Sequence, residues 1–227
     1  MKTILYSFVF AFLFSCGNEK TVLLPEINHS EITEIQDVSA GYLFYNETEK
    51  DSVELNRKNL ISTTNWLINV DKRLTLKQVI PHIKYLQEKK QNSSHKNKDA
   101  KNYFTCNDTS RKDLGFIEFT SINYHKEKPK FIPLNTSDLN YSPNVTSIHF
   151  DLNKNISITN RNRIKFDFEV NKKKLLNELK QIDSIKGRII LFFSNDILFQ
   201  DYINYKYLLS KNDFKHLTIS PEEYLFN

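Results

Sequence analysis

Apolar and polar positions alternate most clearly in the C-terminal third of the chain. Residues 145–150 and 164–168 place an apolar side chain at every second position, which is the period of a strand with one buried face. Residues 170–182 space their apolar positions as an amphipathic helix does, and Asn171 is placed to cap that helix. Residues 189–193 are apolar throughout, as in a central strand covered on both faces. The predicted order is strand, strand, strand, helix, strand, helix and strand, with the remaining elements at residues 156–158, 197–209 and 217–219.

The N-terminal half carries one strong helical signal. Between residues 76 and 86 the apolar positions fall on a single stripe. Thr75 and Gln78 have the spacing of a capping box, in which each side chain satisfies a free backbone N–H at the helix start. Pro81 lies inside this helix and is expected to kink it, because proline removes a backbone hydrogen bond. Strands are predicted around the helix at residues 41–45, 65–70, 102–106 and 116–120.

These elements predict an α+β protein in which small mixed sheets pack against amphipathic helices. Residues 104–108 (FTCND) echo residues 192–196 (FFSND), and each group follows an amphipathic helix. The C-terminal unit is therefore either a degenerate repeat of the N-terminal half or similar to it by chance. We expect the C-terminal unit to fold on its own. The expected division is a signal peptide at 1–15, a lipidated cysteine and flexible tether at 16–40, an N-terminal α/β unit at 41–125, a linker at 126–143 and the C-terminal unit at 144–227.

At the N-terminus, Lys2 precedes an almost unbroken apolar run at residues 4–14, which is shorter than the roughly 20 residues of a membrane-spanning helix but has the length of a signal peptide's apolar region. Residues 13–17 (LFSCG) resemble the lipobox, which implies cleavage before Cys16 and lipid on its thiol. The N-terminus therefore resembles that of a bacterial lipoprotein, in particular a Bacteroidota-like one. The alternatives are an uncleaved anchor and an ordinary secretory signal. Cys16 is the one site residue predicted, as a membrane anchor, with the outer membrane facing the periplasm favoured over the inner membrane or the cell surface.

The formal net charge is +5, which for an exported protein favours anionic envelope surfaces over nucleic acid as a partner. The densest positive stretch, residues 89–101, has no apolar period after its start and is expected to be a solvated loop. With Cys16 acylated, Cys106 has no partner in the chain. It is expected to be a buried thiol on a strand, or else to pair with another chain.

Residues 144–227 contain a predicted hairpin at 147–151 (SIHFD) and 156–158 (ISI), a helix at 170–182 and a strand that ends in a carboxylate at 190–196 (ILFFSND). In this order they resemble the opening hairpin, the first helix and the following strand of the periplasmic domain of the ExbD/TolR biopolymer-transport family. The resemblance implies a domain that works through protein contacts, with a link to energised transport. The family also has a membrane helix with an acidic residue. Here the apolar segment at residues 4–14 contains no Asp or Glu, so the proton-coupled role does not carry over.

The sequence offers little chemistry. Its four glycines form no phosphate loop, it has no Gly-x-Ser-x-Gly elbow, and its six histidines show no zinc spacing. Asp196 is the most suggestive carboxylate, although capping of the following helix explains its position. We therefore predict no catalytic residue, no metal and no cofactor. The predicted function is that of a lipid-anchored, non-enzymatic interaction or accessory module with an envelope protein partner. The alternatives are an enzyme built from dispersed residues and a carrier of a lipid or small ligand.

Overall fold

The structure is a computed structural model that describes residues 20–95, 97–126, 144–160, 167–183 and 186–227. The signal peptide, Cys16 and nearly all of the expected linker lie outside the described residues. The described part of the chain contains two six-stranded mixed sheets and three α-helices. The predicted α+β class with small mixed sheets is thereby confirmed.

The strands of the first sheet are β1 (Glu26–Ile27), β2 (Val38–Tyr45), β3 (Val53–Asn56), β4 (Asn65–Val70), β5 (Asn102–Asp108) and β6 (Asp113–Glu118). Their order is β3–β2–β4–β5–β6, with the two-residue β1 lying beside the end of β5. Strands β2, β4 and β5 are parallel, while β3 and β6 are antiparallel to their neighbours. Helix α1 (Leu76–Gln91) connects β4 to β5.

The strands of the second sheet are β7 (Asn123–His125), β8 (Asn144–Phe150), β9 (Ile156–Asn160), β10 (Asp167–Val170), β11 (Gly187–Ser194) and β12 (Leu217–Phe226). Their order is β10–β9–β8–β11–β12–β7. Strands β8, β11, β12 and β7 are parallel, and the hairpin partner β9 is antiparallel to β8. Helix α2 (Lys172–Ile182) precedes β11, and α3 (Phe199–Ser210) connects β11 to β12.

The two sheets share one topology. Each contains an antiparallel hairpin, then a strand parallel to the first hairpin strand, a helix and another parallel strand, so that β3–β2–β4–β5 corresponds to β9–β8–β11–β12. The repetition suggested by the sequence therefore exists at the level of topology. The residue match that suggested it was wrong, because residues 104–108 lie on β5, whose counterpart is β12 and not β11.

The loop before α1 and the loop before α3 occupy equivalent places in the two units, and backbone hydrogen bonds join them. The N–H of Leu76 donates to the Ile197 carbonyl at 3.0 Å, and the N–H of Phe199 donates to the Leu74 carbonyl at 2.7 Å. The two bonds flank an antiparallel bridge between Thr75 and Leu198. This reciprocal pattern is that of a local two-fold arrangement, so the starts of α1 and α3 are fixed against one another.

A single apolar core joins the two units. The Phe104 ring of β5 lies 5.1 Å from Phe199 and 6.3 Å from Tyr202, both on α3. Strand β7, which precedes the expected linker, completes the sheet of the C-terminal unit. The domain division itself stays a prediction, but these contacts argue against independent folding of residues 144–227.

The expected flexible tether over residues 16–40 is wrong for most of its described part. Strand β1 pairs with β5, Ile27 is buried, and the start of β2 at Val38 pairs with β4. These residues lack a clear apolar period because side-chain and backbone hydrogen bonds, rather than an amphipathic face, hold most of them.

The starts of α1 and α2 were predicted well. The N–H of Thr75 donates to Gln78 Oε1 at 2.7 Å, as a capping box requires, and Asn171 Oδ1 accepts the N–H of Lys174 at 3.1 Å. Helix α1 continues through Pro81. Helix α2 ends at Ile182, the predicted last residue, and Gly187 begins β11.

Candidate functional site

The carboxyl ends of parallel strands are the usual position of functional groups in α/β units. Asp71, which follows β4, is fully buried there. Its carboxylate accepts hydrogen bonds from Nε and the terminal guanidinium nitrogen of Arg73 at 2.9 and 2.8 Å, and from the N–H of Leu23 at 3.2 Å. Burial alone would raise the pKa of Asp71, but these bonds outweigh burial and lower it. Asp71 therefore holds the N-terminal segment in place and is not a free acid or base.

Asp108 has the same role at the end of β5. The N–H groups of His29 and Ser30 donate to its two carboxylate oxygens at 3.0 and 2.7 Å, and Arg111 Nε donates at 2.9 Å. Burial acts to raise the pKa of Asp108, yet the hydrogen bonds from Ser110, Ser30 and His29 hold it well below its usual range. The two strand ends are thus closed by structural carboxylates.

The structure places Asp196 and Cys106, which were singled out in the sequence, at different sheets of the fold, Asp196 shortly after β11 and Cys106 on β5. Asp196 is exposed and precedes the N-cap of α3, which is Leu198, so the predicted helix cap is wrong. Cys106 is buried on β5 as expected, and burial raises the pKa of its thiol. Within the described ranges, no group of three or more His, Cys, Asp or Glu side chains is arranged to hold a metal ion.

A cleft of about 510 Å³ separates β6 from α3 and β12. Leu191 and Leu209 form its buried floor. Its walls are partly exposed apolar side chains that are brought together from five separate parts of the chain. We call this cleft the apolar groove, and its wall residues are Ile32, Ile117, Ile122, Tyr207 and Ile219.

Charged side chains surround the apolar groove. Glu31 and Glu118 lie on the side of β6, while Lys211 lies at the end of α3. Lys211 Nζ is 3.7 Å from a Glu31 carboxylate oxygen and 5.2 Å from the centre of the Tyr207 ring. An apolar centre with a rim of both charge signs is the usual anatomy of a protein–protein interface.

A buried polar network supports the wall of the apolar groove. Glu223 of β12 is 1% exposed and accepts Lys206 Nζ at 2.5 Å and the Tyr202 hydroxyl at 2.9 Å. The Tyr124 hydroxyl of β7 lies 3.1 Å from the Tyr202 hydroxyl. Burial and the charge of Glu223 raise the pKa of Tyr202, so that it remains a protonated donor. The network ties β7, β12 and α3 together and leaves Glu223 fully paired.

The strands beside the groove offer little free edge. Strand β12 lies between β11 and β7, and Pro221 falls next to an irregularity in its register with β11 between Ile189 and Leu191. On β6, the N–H of Phe116 donates to the Ile32 carbonyl at 3.1 Å. A partner in the apolar groove would therefore be bound through side chains and not by strand addition.

The groove was not found by sequence reasoning. Its wall residues come from an N-terminal segment, β6, the following turn, α3 and β12, and no periodic signal links them. Glu222 and Glu223 fall after the predicted strand at residues 217–219, but both lie in β12, which is longer than that prediction. A buried glutamate has no apolar signature, so its pairing with Lys206 had no signal in the sequence.

The chain matches no known family, no curated protein and no solved structure. None of the helices in the described ranges combines the length and apolarity needed to cross a membrane.

Proposed function

We propose that this protein is a non-catalytic interaction module of the bacterial cell envelope, anchored by lipid on Cys16, and that the apolar groove binds a protein partner. The observation that carries the proposal is the set of partly exposed isoleucines over a buried leucine floor, surrounded by charges of both signs. Covering such side chains removes apolar surface from water, which favours association.

The rim suggests the chemistry of the partner. A segment with apolar side chains at its centre would fill the groove, a basic group would face Glu31 and Glu118, and an acidic group would face Lys211. Paired rim charges set orientation and association rate more than affinity, so the isoleucines are expected to supply most of the binding energy.

The anchor would keep this site close to the membrane. The backbone of Leu23 is already bonded to buried Asp71, and Leu23 follows Cys16 by only seven positions. Even fully extended, seven residues span about 25 Å. A partner that is itself in or near the membrane therefore fits the proposal best.

The groove is tested by comparing the proteins cross-linked to it in cells. Ile32→Asp and Ile219→Asp each place a charge in the wall, whereas Leu152→Asp changes an apolar residue that is 56% exposed and lies outside the groove. Cross-linking with mass spectrometry should recover the same protein from wild type and Leu152→Asp, and lose it from both groove variants. Equal recovery from all four proteins, with thermal unfolding confirming that each is folded, would contradict the proposal.

The anchor is tested separately by metabolic labelling with a fatty acid. Wild type should be labelled and recovered with membranes, and Cys16→Ala should be neither, because each buried CH₂ of an acyl chain contributes about 0.8 kcal/mol to membrane binding. Equal labelling of both proteins would remove the lipoprotein assignment.

The resemblance of residues 144–227 to the ExbD/TolR periplasmic domain adds one specific expectation. On that resemblance alone, we propose that the partner belongs to an energised transport system of the envelope. Recovery of a transport-motor protein in the groove-dependent cross-link supports this link, and recovery of an unrelated envelope protein excludes it.

A second candidate function is transport of a lipid or small apolar ligand. It is favoured by the volume of the groove, about 510 Å³, which lies within the range of small-molecule sites. Native mass spectrometry of the purified chain distinguishes the two, because a carrier retains a ligand of defined mass that is lost in Ile219→Asp. A ligand-free protein with an intact groove-dependent cross-link favours the interaction module.

A further inference from the structure

A second cavity, of about 620 Å³, lies between α1, the loop that follows it, β5 and β7. It shares no lining residue with the apolar groove. Three lysines line it, and among the described residues none of their ammonium groups has a carboxylate partner. We call it the basic cavity, and its lysines are Lys84, Lys90 and Lys98.

Lys90 is the most unusual of the three because it is buried, with 7% of its surface exposed. Its ammonium group donates to the Lys101 carbonyl at 3.1 Å and to Asn102 Oδ1 at 2.9 Å, and it lies 4.8 Å from the centre of the Trp66 ring. Burial lowers the pKa of Lys90 to about 8. All of its contacts are neutral, so the cost of burying the charge is only partly offset.

The position of Lys90 in the last turn of α1 does not explain this burial. The negative end of the helix dipole favours a cation there, but it favours the exposed Lys89 of the same turn equally. A cation enclosed in a cavity wall and bound only to neutral groups is instead the arrangement expected where an anion binds.

The acidic residues of the basic cavity do not pair with its lysines. Glu222 accepts Asn123 Nδ2 at 2.8 Å and is also hydrogen-bonded to His125, and these two bonds lower its pKa. Glu88 is exposed at the mouth. Lys84 Nζ donates to the Tyr124 carbonyl at 3.0 Å, which is again a neutral acceptor, so the lysines outnumber the two carboxylates and none of them is paired with one among the described residues.

The rest of the wall is unusually rich in amide and hydroxyl groups. Such groups both donate and accept hydrogen bonds, which is what the many hydroxyls of a saccharide require. A bare phosphate would use only a small part of a cavity of about 620 Å³. The amide and hydroxyl residues of the wall are Gln87, Gln91, Asn97, Asn102, Thr120 and Asn123.

We infer that the basic cavity is a binding site for an anionic saccharide, a sugar that carries phosphate or carboxylate groups. The lysines bind the anionic group as point charges, with Lys90 at the wall and Lys98 at the open side, while the amide side chains bind the hydroxyls. The site is independent of the apolar groove and of any protein partner.

Isothermal titration calorimetry on the full chain carrying Cys16→Ala tests this inference. The probes are glucose 6-phosphate, glucuronic acid and a galacturonic acid hexamer, with glucose and inorganic phosphate as separate controls. At least one anionic sugar should bind about tenfold more tightly than either control, because both parts of the ligand contribute. A preference for the hexamer over the two monomers indicates a polymer as the source, and a preference for a monomer indicates a free sugar acid or sugar phosphate.

Three variants locate the binding site. Lys90→Met should weaken binding by about tenfold or more, and the exposed Lys98→Gln by about threefold, because a buried charge-assisted bond is stronger than an exposed one. Lys77 is an exposed lysine on α1 outside the cavity, so Lys77→Gln should leave binding unchanged. If Lys90→Met is unfolded, the affinity of Lys98→Gln decides whether the inference stands. The inference is overturned if no anionic sugar binds better than glucose and phosphate, or if Lys98→Gln binds as tightly as Lys77→Gln.

Discussion

The carboxylate of Asp71 is buried at the end of β4 and joins an arginine, its own loop and the N-terminal segment. Because its pKa is lowered in the folded state, the unfolded chain takes up a proton more readily in acid. The contribution of Asp71 to the free energy of unfolding is therefore fully present above about pH 5 and is lost as the pH falls toward the lowered pKa.

Replacement of the Asp71 carboxylate should lower the free energy of unfolding by a measurable amount. Asp71→Asn leaves Arg73 without its ion partner and is expected to lower the free energy of unfolding at pH 7 by about 2 kcal/mol. Urea unfolding between pH 3 and 7 should show that the free energy of unfolding of Asp71→Asn falls less steeply toward acid than that of wild type. The remaining fall is due to other groups such as Asp108. The exposed Asp213→Asn is the control and should behave as wild type. An unchanged acid decline in Asp71→Asn would show that this carboxylate is not part of the linkage.

The apolar groove could not be predicted from the sequence, and its individual wall residues show why. Ile32, Ile117 and Ile219 each look like an ordinary half-buried side chain within its own segment. They become one wall only because Ile32 bridges to Phe116 and because α3 and β12 pack beside β6. Cys106, by contrast, was predicted correctly, since its burial follows from its residue type and its strand.

At the level of elements, helix α2 offers a clean test of a predicted cap. Asn171 Oδ1 accepts the N–H of Lys174, so Asn171→Ala should lower the free energy of unfolding by about 1 kcal/mol. Asn171→Ser retains a capping oxygen and should lose only a few tenths of a kcal/mol. Thermal unfolding of the three proteins checks this. If the alanine and serine variants lose the same stability, the bond seen here is not a stabilising cap.

Two strands were predicted to within one residue. Strand β8, predicted from its alternation at residues 145–150, is Asn144–Phe150, and β4 has the predicted bounds, Asn65–Val70. The other alternating segment, residues 164–168, lies mostly outside the described residues, and β10 begins at Asp167. Strand β12 was cut short at Ile219 because Pro221 and the two glutamates after it break the pattern, yet a register irregularity accommodates the proline and Lys206 pairs with the buried Glu223. Strand β7 has only three residues, which is too few for any period to be read.

At the scale of the whole molecule, the two topological units depend on each other. Residues 144–227 alone would lack β7, the Tyr124 hydroxyl beside Tyr202, and the Phe104 ring that packs on α3. The isolated segment should therefore show no cooperative thermal transition, whereas residues 20–227 should unfold in one. Circular dichroism during heating compares them. A cooperative transition in the isolated segment would restore the independent C-terminal unit expected from the sequence.

The apolar groove exists only where the two units meet, so a partner bound in it would contact both units. A photo-reactive amino acid is placed in cells at Ile32, Ile117 or Tyr207, and at two exposed apolar positions outside the groove, Ile61 and Leu152. The groove positions should all cross-link to one and the same envelope protein, and the two outside positions should not. Equal yields from both sets, or no protein cross-linked from any groove position, would contradict the proposal that the groove is the docking surface.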